Sequence, residues 1–144
     1  MKAALIKKIN RLLISANLRR TKPRIAVLGA LLAAAVPLTR WQIAKRISAG
    51  CPDKATIYRT LGSFIGAGLV HKAFLQNRTW HFELAYNCTE SQCHPHFTCT
   101  NCGDTHCFTE MILPVIKSSP HKGFVIRRQR TQFEGLCPRC SPDR

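Results

Sequence analysis

Two Cys-x-x-Cys pairs, Cys99 with Cys102 and Cys137 with Cys140, are the residues best placed for chemistry. Four soft thiolates in tetrahedral array suit Zn²⁺ in a closed, non-catalytic site. Disulfides or one redox-active pair are the alternatives. A second set surrounds His94 and His96, which stand two apart and share a face in an extended segment. His71 and Glu83 are near enough in sequence to join them, giving a nitrogen and oxygen site for a second divalent ion, Zn²⁺, Fe²⁺ or Mn²⁺. His81, Cys88, Cys93, His106 and Cys107 are further donors nearby, so the spacing leaves the ligand set open.

The elements that must position these groups follow from periodicity and capping. Leu5, Ile9, Leu12 and Ala16 recur at helical spacing over residues 3–16. Thr21 is placed to cap a second helix with Pro23 in its first turn, running to Val36 and Pro37. Thr39 starts a short third helix, and Asp53 caps a fourth over Lys54 to about Gly66. That fourth helix turns Ile57, Leu61, Phe64 and Ile65 inward and shows Lys54, Thr56, Tyr58, Arg59 and Ser63 on its other side. A helix with cations and hydrogen-bonding groups on one face, closing a basic bundle, reads as the recognition helix of a helix-turn-helix.

Strands over 69–75 and 80–85, joined through Asn77 and Arg78, make a β-hairpin of the kind called a wing. Residues 86–96 read as a hinge carrying metal ligands. Beyond it, strands are expected over 97–100, 105–108, 124–128 and 131–134, with a helix near 110–119. A second domain of about 50 residues has a marginal core, a reason for it to carry a structural metal and to dimerise. The expected fold class is therefore α+β: a winged helix-turn-helix over 1–85, then a small α/β dimerisation domain over 97–144.

Charge supports a polyanionic partner. The chain carries a formal charge of +15. Residues 1–72 hold fourteen Lys or Arg and a single acid, Asp53, for +13, whereas residues 73–144 hold eight bases and six acids, for +2. This segregation points the first half at nucleic acid. The longest apolar run, Ile25 to Leu38, is short of the roughly 20 residues a spanning helix needs, so no membrane role is expected. Lys7, Lys8, Asn10 and Arg11 interrupt any signal-peptide core, and a cytoplasmic protein is expected. A thiol or zinc enzyme is the rival class, disfavoured because no open three-ligand site with a general base stands out.

The chain resembles the ferric uptake regulator family of dimeric, metal-responsive repressors. The resemblance rests on the runs Leu18–Arg24, Lys54–Leu61, Gly68–His71, Phe82–Leu84, His94–Gly103 and Cys137–Cys140, in the family's order. It implies no enzyme and no small-molecule substrate, but a homodimer on a palindromic double-stranded DNA operator. Tyr58 and Arg59 match the family's major-groove pair, and Arg19 a minor-groove contact. Glu83, His94 and His96 match sensory-metal ligands at the hinge.

Departures refine this resemblance. Val36, Pro37 and Leu38 stand where iron regulators have a histidine, whereas His71 falls where zinc uptake regulators have a ligand. Cys93, Pro95, Pro114 and Gln129 occupy the positions of a further metal site found in some members, so that site is expected to be missing. Cys107 stands where peroxide sensors have a carboxylate. The expectation is a zinc-responsive repressor of metal-uptake genes, with structural Zn²⁺ on Cys99, Cys102, Cys137 and Cys140. The regulatory ion would sit on His71, Glu83, His94 and His96. Iron-, manganese- and peroxide-responsive regulators of the same family are the alternatives.

Overall fold

The computed structural model describes residues 2–34, 36–47, 50–85, 88, 92–116 and 121–142. The chain divides into two compact units, Met1–Ala85 and Tyr86–Arg144. Of the hinge expected over 86–96, residues 86, 87 and 89–91 lie outside the described part.

In the first unit α1 spans Lys2–Ser15, α2 Lys22–Leu32, α3 Arg40–Arg46 and α4 Lys54–Gly66. Their apolar faces meet in one core in which Leu13, Leu28, Ile43, Ile57, Leu61 and Phe64 are almost fully enclosed. Thr39 opens α3 with a reciprocal capping box, its hydroxyl accepting from Gln42 N while the Gln42 side chain accepts from Thr39 N. Asp53 opens α4 by accepting from Thr56 N at 2.9 Å. Such caps contribute about 0.5–2 kcal/mol each. The side-chain cap expected from Thr21 is not made; α2 begins instead with Pro23 in its first turn, whose fixed φ suits a helix start.

A three-stranded sheet closes this unit in the order β1 (Leu38–Thr39), β3 (Thr79–Leu84), β2 (Val70–Gln76). Asn77 and Arg78 both take positive φ at the hairpin tip, the backbone a two-residue turn needs to follow strand twist. β1 has no counterpart among the expected elements, being two residues long. Phe82 enters the core, so Glu83 and His81, its neighbours in β3, alternate to the opposite face. A bulge between Lys72 and Phe74 then pairs Phe74 with His81 and leaves His71 directly opposite Glu83.

The second unit is built on a sheet ordered β5 (Thr105–Cys107), β4 (His96–Cys99), β6 (Gln132–Gly135). β4 runs antiparallel to β5 and parallel to β6. Two expectations fail here. Residues 110–116 form turns and irregular chain rather than the start of a helix, and 117–119 lie outside the described residues. Residues 124–128 form no strand and are exposed; the chain pairs only at Gln129, which bridges to Gln92. In both stretches β-branched and aromatic residues supply the pattern, but among the described residues they stay largely exposed. Ile112 is 93% and Val125 80% exposed.

Candidate metal centres and nucleic-acid face

Parallel pairing of β4 with β6 builds the four-cysteine group. It aligns Cys99 with Gly135, so both Cys-x-x-Cys turns leave the same end of the sheet. The 34 residues between Cys102 and Cys137 are the connection that a parallel pair requires. Gly103, with φ +74, closes the first turn, its N–H donating to Cys99 O at 3.0 Å. In the second, Cys140 N donates to Cys137 O at 2.9 Å. Arg139 and Asp104 form an ion pair that ties one turn to the other.

The four sulfurs lie within 4.8 Å of one another, and Cys102 Sγ is 3.7 Å from Cys137 Sγ. A tetrahedron with Zn–S bonds of about 2.3 Å has an edge of about 3.8 Å, so the donors fit a closed zinc site. The amides of Cys102 and Cys137 hold the Cys99 thiol down at about 6. The Asp104 amide pulls Cys102 the same way, but burial and hydrogen bonds with the other three cysteines push it up to about 11. None of the eight cysteines is joined to another in a disulfide.

The remaining ligand candidates fall into two sets, one in each unit. In the first, His71 Nε2 meets Glu83 Oε1 at 2.8 Å, with the imidazole 3% and the carboxylate 13% exposed. In the second, the rings of His94 and His96 are 4.6 Å apart. Cys107 lies opposite His96 across β4 and β5, and one donor atom from each of His94, His96 and Cys107 falls within a 4.8 Å span. Of the further donors in this region, Cys107 is delivered by strand register. His81 instead stacks on Phe74 at 4.5 Å, and burial lowers its pKa.

The face of α4 is also ordered from its cap. Asp53 accepts from both the amide and the hydroxyl of Thr56, which holds its carboxyl below the usual range. Thr56 Oγ1 in turn accepts from the Arg59 guanidinium at 3.1 Å. Arg19, Thr56 and Arg59 line one shallow recess. Tyr58 is 62% exposed, with the Arg40 guanidinium 5.3 Å from its ring centroid. A groove of about 620 Å³ runs from there to the hairpin past Arg59, Lys72, Arg78 and Trp80. Lys54, exposed in the first turn of α4, lines a separate recess with Trp41. Sequence reading missed Arg40; its only signal is its place directly after the Thr39 cap. Six cations, exposed amphipathic rings and hydroxyls on one helix and its flanks suit a phosphate backbone and a groove.

A family model described as the ferric uptake regulator family matches residues 15–133. The transcriptional regulator FurA of Mycobacterium tuberculosis is 31% identical over 132 residues, spanning 88% of this chain and 86% of that protein. The ferric uptake regulation protein of Bordetella parapertussis is 28% identical over 139 residues, spanning 89% and 93%. Among solved structures, the ferric uptake regulator from Pseudomonas aeruginosa with manganese superposes with a TM-score of 0.60 at 25% identity, covering 90% of this chain and 98% of that one. A zinc uptake regulator complexed with zinc and DNA gives 0.64 at 19% identity, covering 95% and 93%, a likeness of fold.

Proposed function

This chain belongs to the ferric uptake regulator family, and from that premise we propose that it is a zinc-responsive repressor of metal-uptake genes. Members of the family are metal-responsive, DNA-binding transcriptional regulators and not enzymes. The finer reading rests above all on the donor chemistry around β4. His94, His96 and Cys107 gather two imidazoles and a thiol, a softer set than the oxygen-rich sites that suit manganese. Val36 to Leu38 offer no side-chain ligand where iron regulators have a histidine.

The proposed regulatory ligands are His71 and Glu83 from the hairpin with His94 and His96 from the second domain, Cys107 being an added candidate. A bound ion supplies a positive centre that all of these side chains can share. His71 and Glu83 already lie together, so the wing contributes its ligands pre-paired. Holding both sets at once restricts the hinge, proposed over 86–96, and raises the fraction of protein competent to bind DNA. Cys99, Cys102, Cys137 and Cys140 hold the structural Zn²⁺ in this reading.

The partner is a palindromic operator read by a homodimer. Ile112, Ile116, Phe124 and Val125 are all exposed on the second unit, an apolar surface for a second copy to cover. Arg19, Lys54, Thr56, Tyr58 and Arg59 are the proposed DNA contacts, with Arg59 oriented through Thr56 toward a base edge.

Fluorescence anisotropy on a candidate palindrome at fixed salt tests the proposal. Zn²⁺ should drive binding at a lower free concentration than Fe²⁺ or Mn²⁺; a lead for either of those would overturn the zinc assignment. In the metal-loaded state Arg59→Ala should weaken operator binding by about 1–3 kcal/mol. Unchanged affinity would remove Arg59 from the reading set.

A further inference from the structure

The recess that holds Arg19, Thr56 and Arg59 has a volume of about 370 Å³ and lies where the start of α2 meets α4. Three guanidiniums line it, those of Arg19, Arg24 and Arg59, and no acidic residue does. Two of the three are held in place. Arg24 donates to Arg19 O at 3.0 Å, and Arg59 donates to Thr56 Oγ1 at 3.1 Å. Like charges gathered around one hollow without an acid favour an anion there.

Four hydroxyls also line the recess, and they divide into two kinds. Thr56 donates to Asp53 and Ser63 donates to Arg59 O, so both are committed. Thr21 and Thr60 make no hydrogen bond among the described residues. Thr60 is only 7% exposed, and a hydroxyl so buried normally has a partner. The first turn of α2 adds backbone donors. It holds no acid and receives no side-chain cap, and Pro23 has no N–H to offer. The amides of Lys22 and Arg24 therefore carry the positive end of an 11-residue helix without a capping oxygen.

We propose that this recess seats one phosphate of the DNA backbone, with Thr21, Arg24 and Thr60 as contacts additional to the face of α4. The phosphate oxygens accept from the two uncommitted hydroxyls, from Arg24 and from the uncapped helix start. Its charge offsets the guanidiniums around it. Thr56 and Arg59 belong both to this recess and to the face assigned to DNA, so the seat fixes the register in which α4 meets a groove. The proposal rests on the DNA-binding reading of that face. It adds a contact that holds any sequence equally, in contrast to the base-reading role given to Arg59.

The test titrates full-length, zinc-loaded protein onto the palindrome and onto a scrambled duplex of equal length, over a series of chloride concentrations. Thr60→Val, which keeps the side chain's shape, should weaken both complexes about tenfold, the effect of losing one hydrogen bond to a charged acceptor. Arg24→Gln should weaken both equally and flatten the dependence of log K on log salt by about 0.9, one phosphate contact fewer. A neutral methylphosphonate then replaces each phosphate of the palindrome in turn. One position should cost the parent affinity and cost both variants markedly less. The seat is overturned if no position behaves so, or if both variants keep the parent's affinity and salt slope. The DNA reading survives that result as long as Arg59→Ala loses the parent's preference for the palindrome over the scramble. A parent that binds neither duplex overturns both.

Discussion

Cys137→Ser should unfold the second unit and leave the first folded, with the tightly held zinc lost. Of the described residues in the second unit, the buried apolar set is Cys93, Cys99 and Cys137, with no buried aliphatic or aromatic side chain beside them except Pro95. Phe97, Phe108 and Phe133 make ring contacts at about 6 Å but are only half-buried. Such a unit has little hydrophobic free energy to set against chain entropy. A structural zinc supplies roughly 10–16 kcal/mol of apparent folding free energy in small peptides. Serine removes one of the four sulfur donors, the one 3.7 Å from Cys102 Sγ, while the bond from Cys137 N to Cys99 Sγ is a backbone bond that the substitution leaves. Amide chemical-shift dispersion read domain by domain checks this. Retained dispersion for residues 132–135 in a zinc-free variant would sink the claim that metal holds this unit together.

The first unit owes nothing to that clamp, and its legibility has the same cause. Ile57, Leu61 and Phe64 repeat at helical spacing and are all enclosed, so pattern and burial coincide within one domain. Thr39 and Asp53 were readable because a cap is a local event between residues three apart. Thr21 satisfied the same rule by residue type, but its hydroxyl makes no cap. In the second unit the pattern records only that Ile112, Val125 and Phe124 seek burial. It does not say by what, and a helix and a strand were inferred where the lone chain leaves these residues exposed. The β4–β6 pairing was hidden for another reason. Its two strands lie far apart in sequence, and no local signal distinguishes a parallel partner from an antiparallel one. Cys107 was one of several further donors by spacing, and register distinguishes it by placing it opposite His96.

His96→Ala should abolish the metal response while retaining one tightly held zinc per chain. His96 is 1% exposed, so its imidazole is committed to the interior and not to solvent. It sits in β4 three residues before Cys99, with its backbone N–H donating to Thr131 O. Its orientation is therefore set by the same sheet that carries the four-cysteine group. Losing even an outer-shell partner of a metal site costs about 10–100-fold in affinity, and a direct ligand should cost more than that. Operator affinity at saturating Zn²⁺ for the parent should fall to the metal-free level in the variant. His106→Ala is the control: His106 is exposed, with its ring near Phe97, and should leave the response unchanged. If His96→Ala instead loses its fold or its tightly held zinc, His96 belongs to the scaffold. A full metal response in the variant would require the regulatory ion to be held without it.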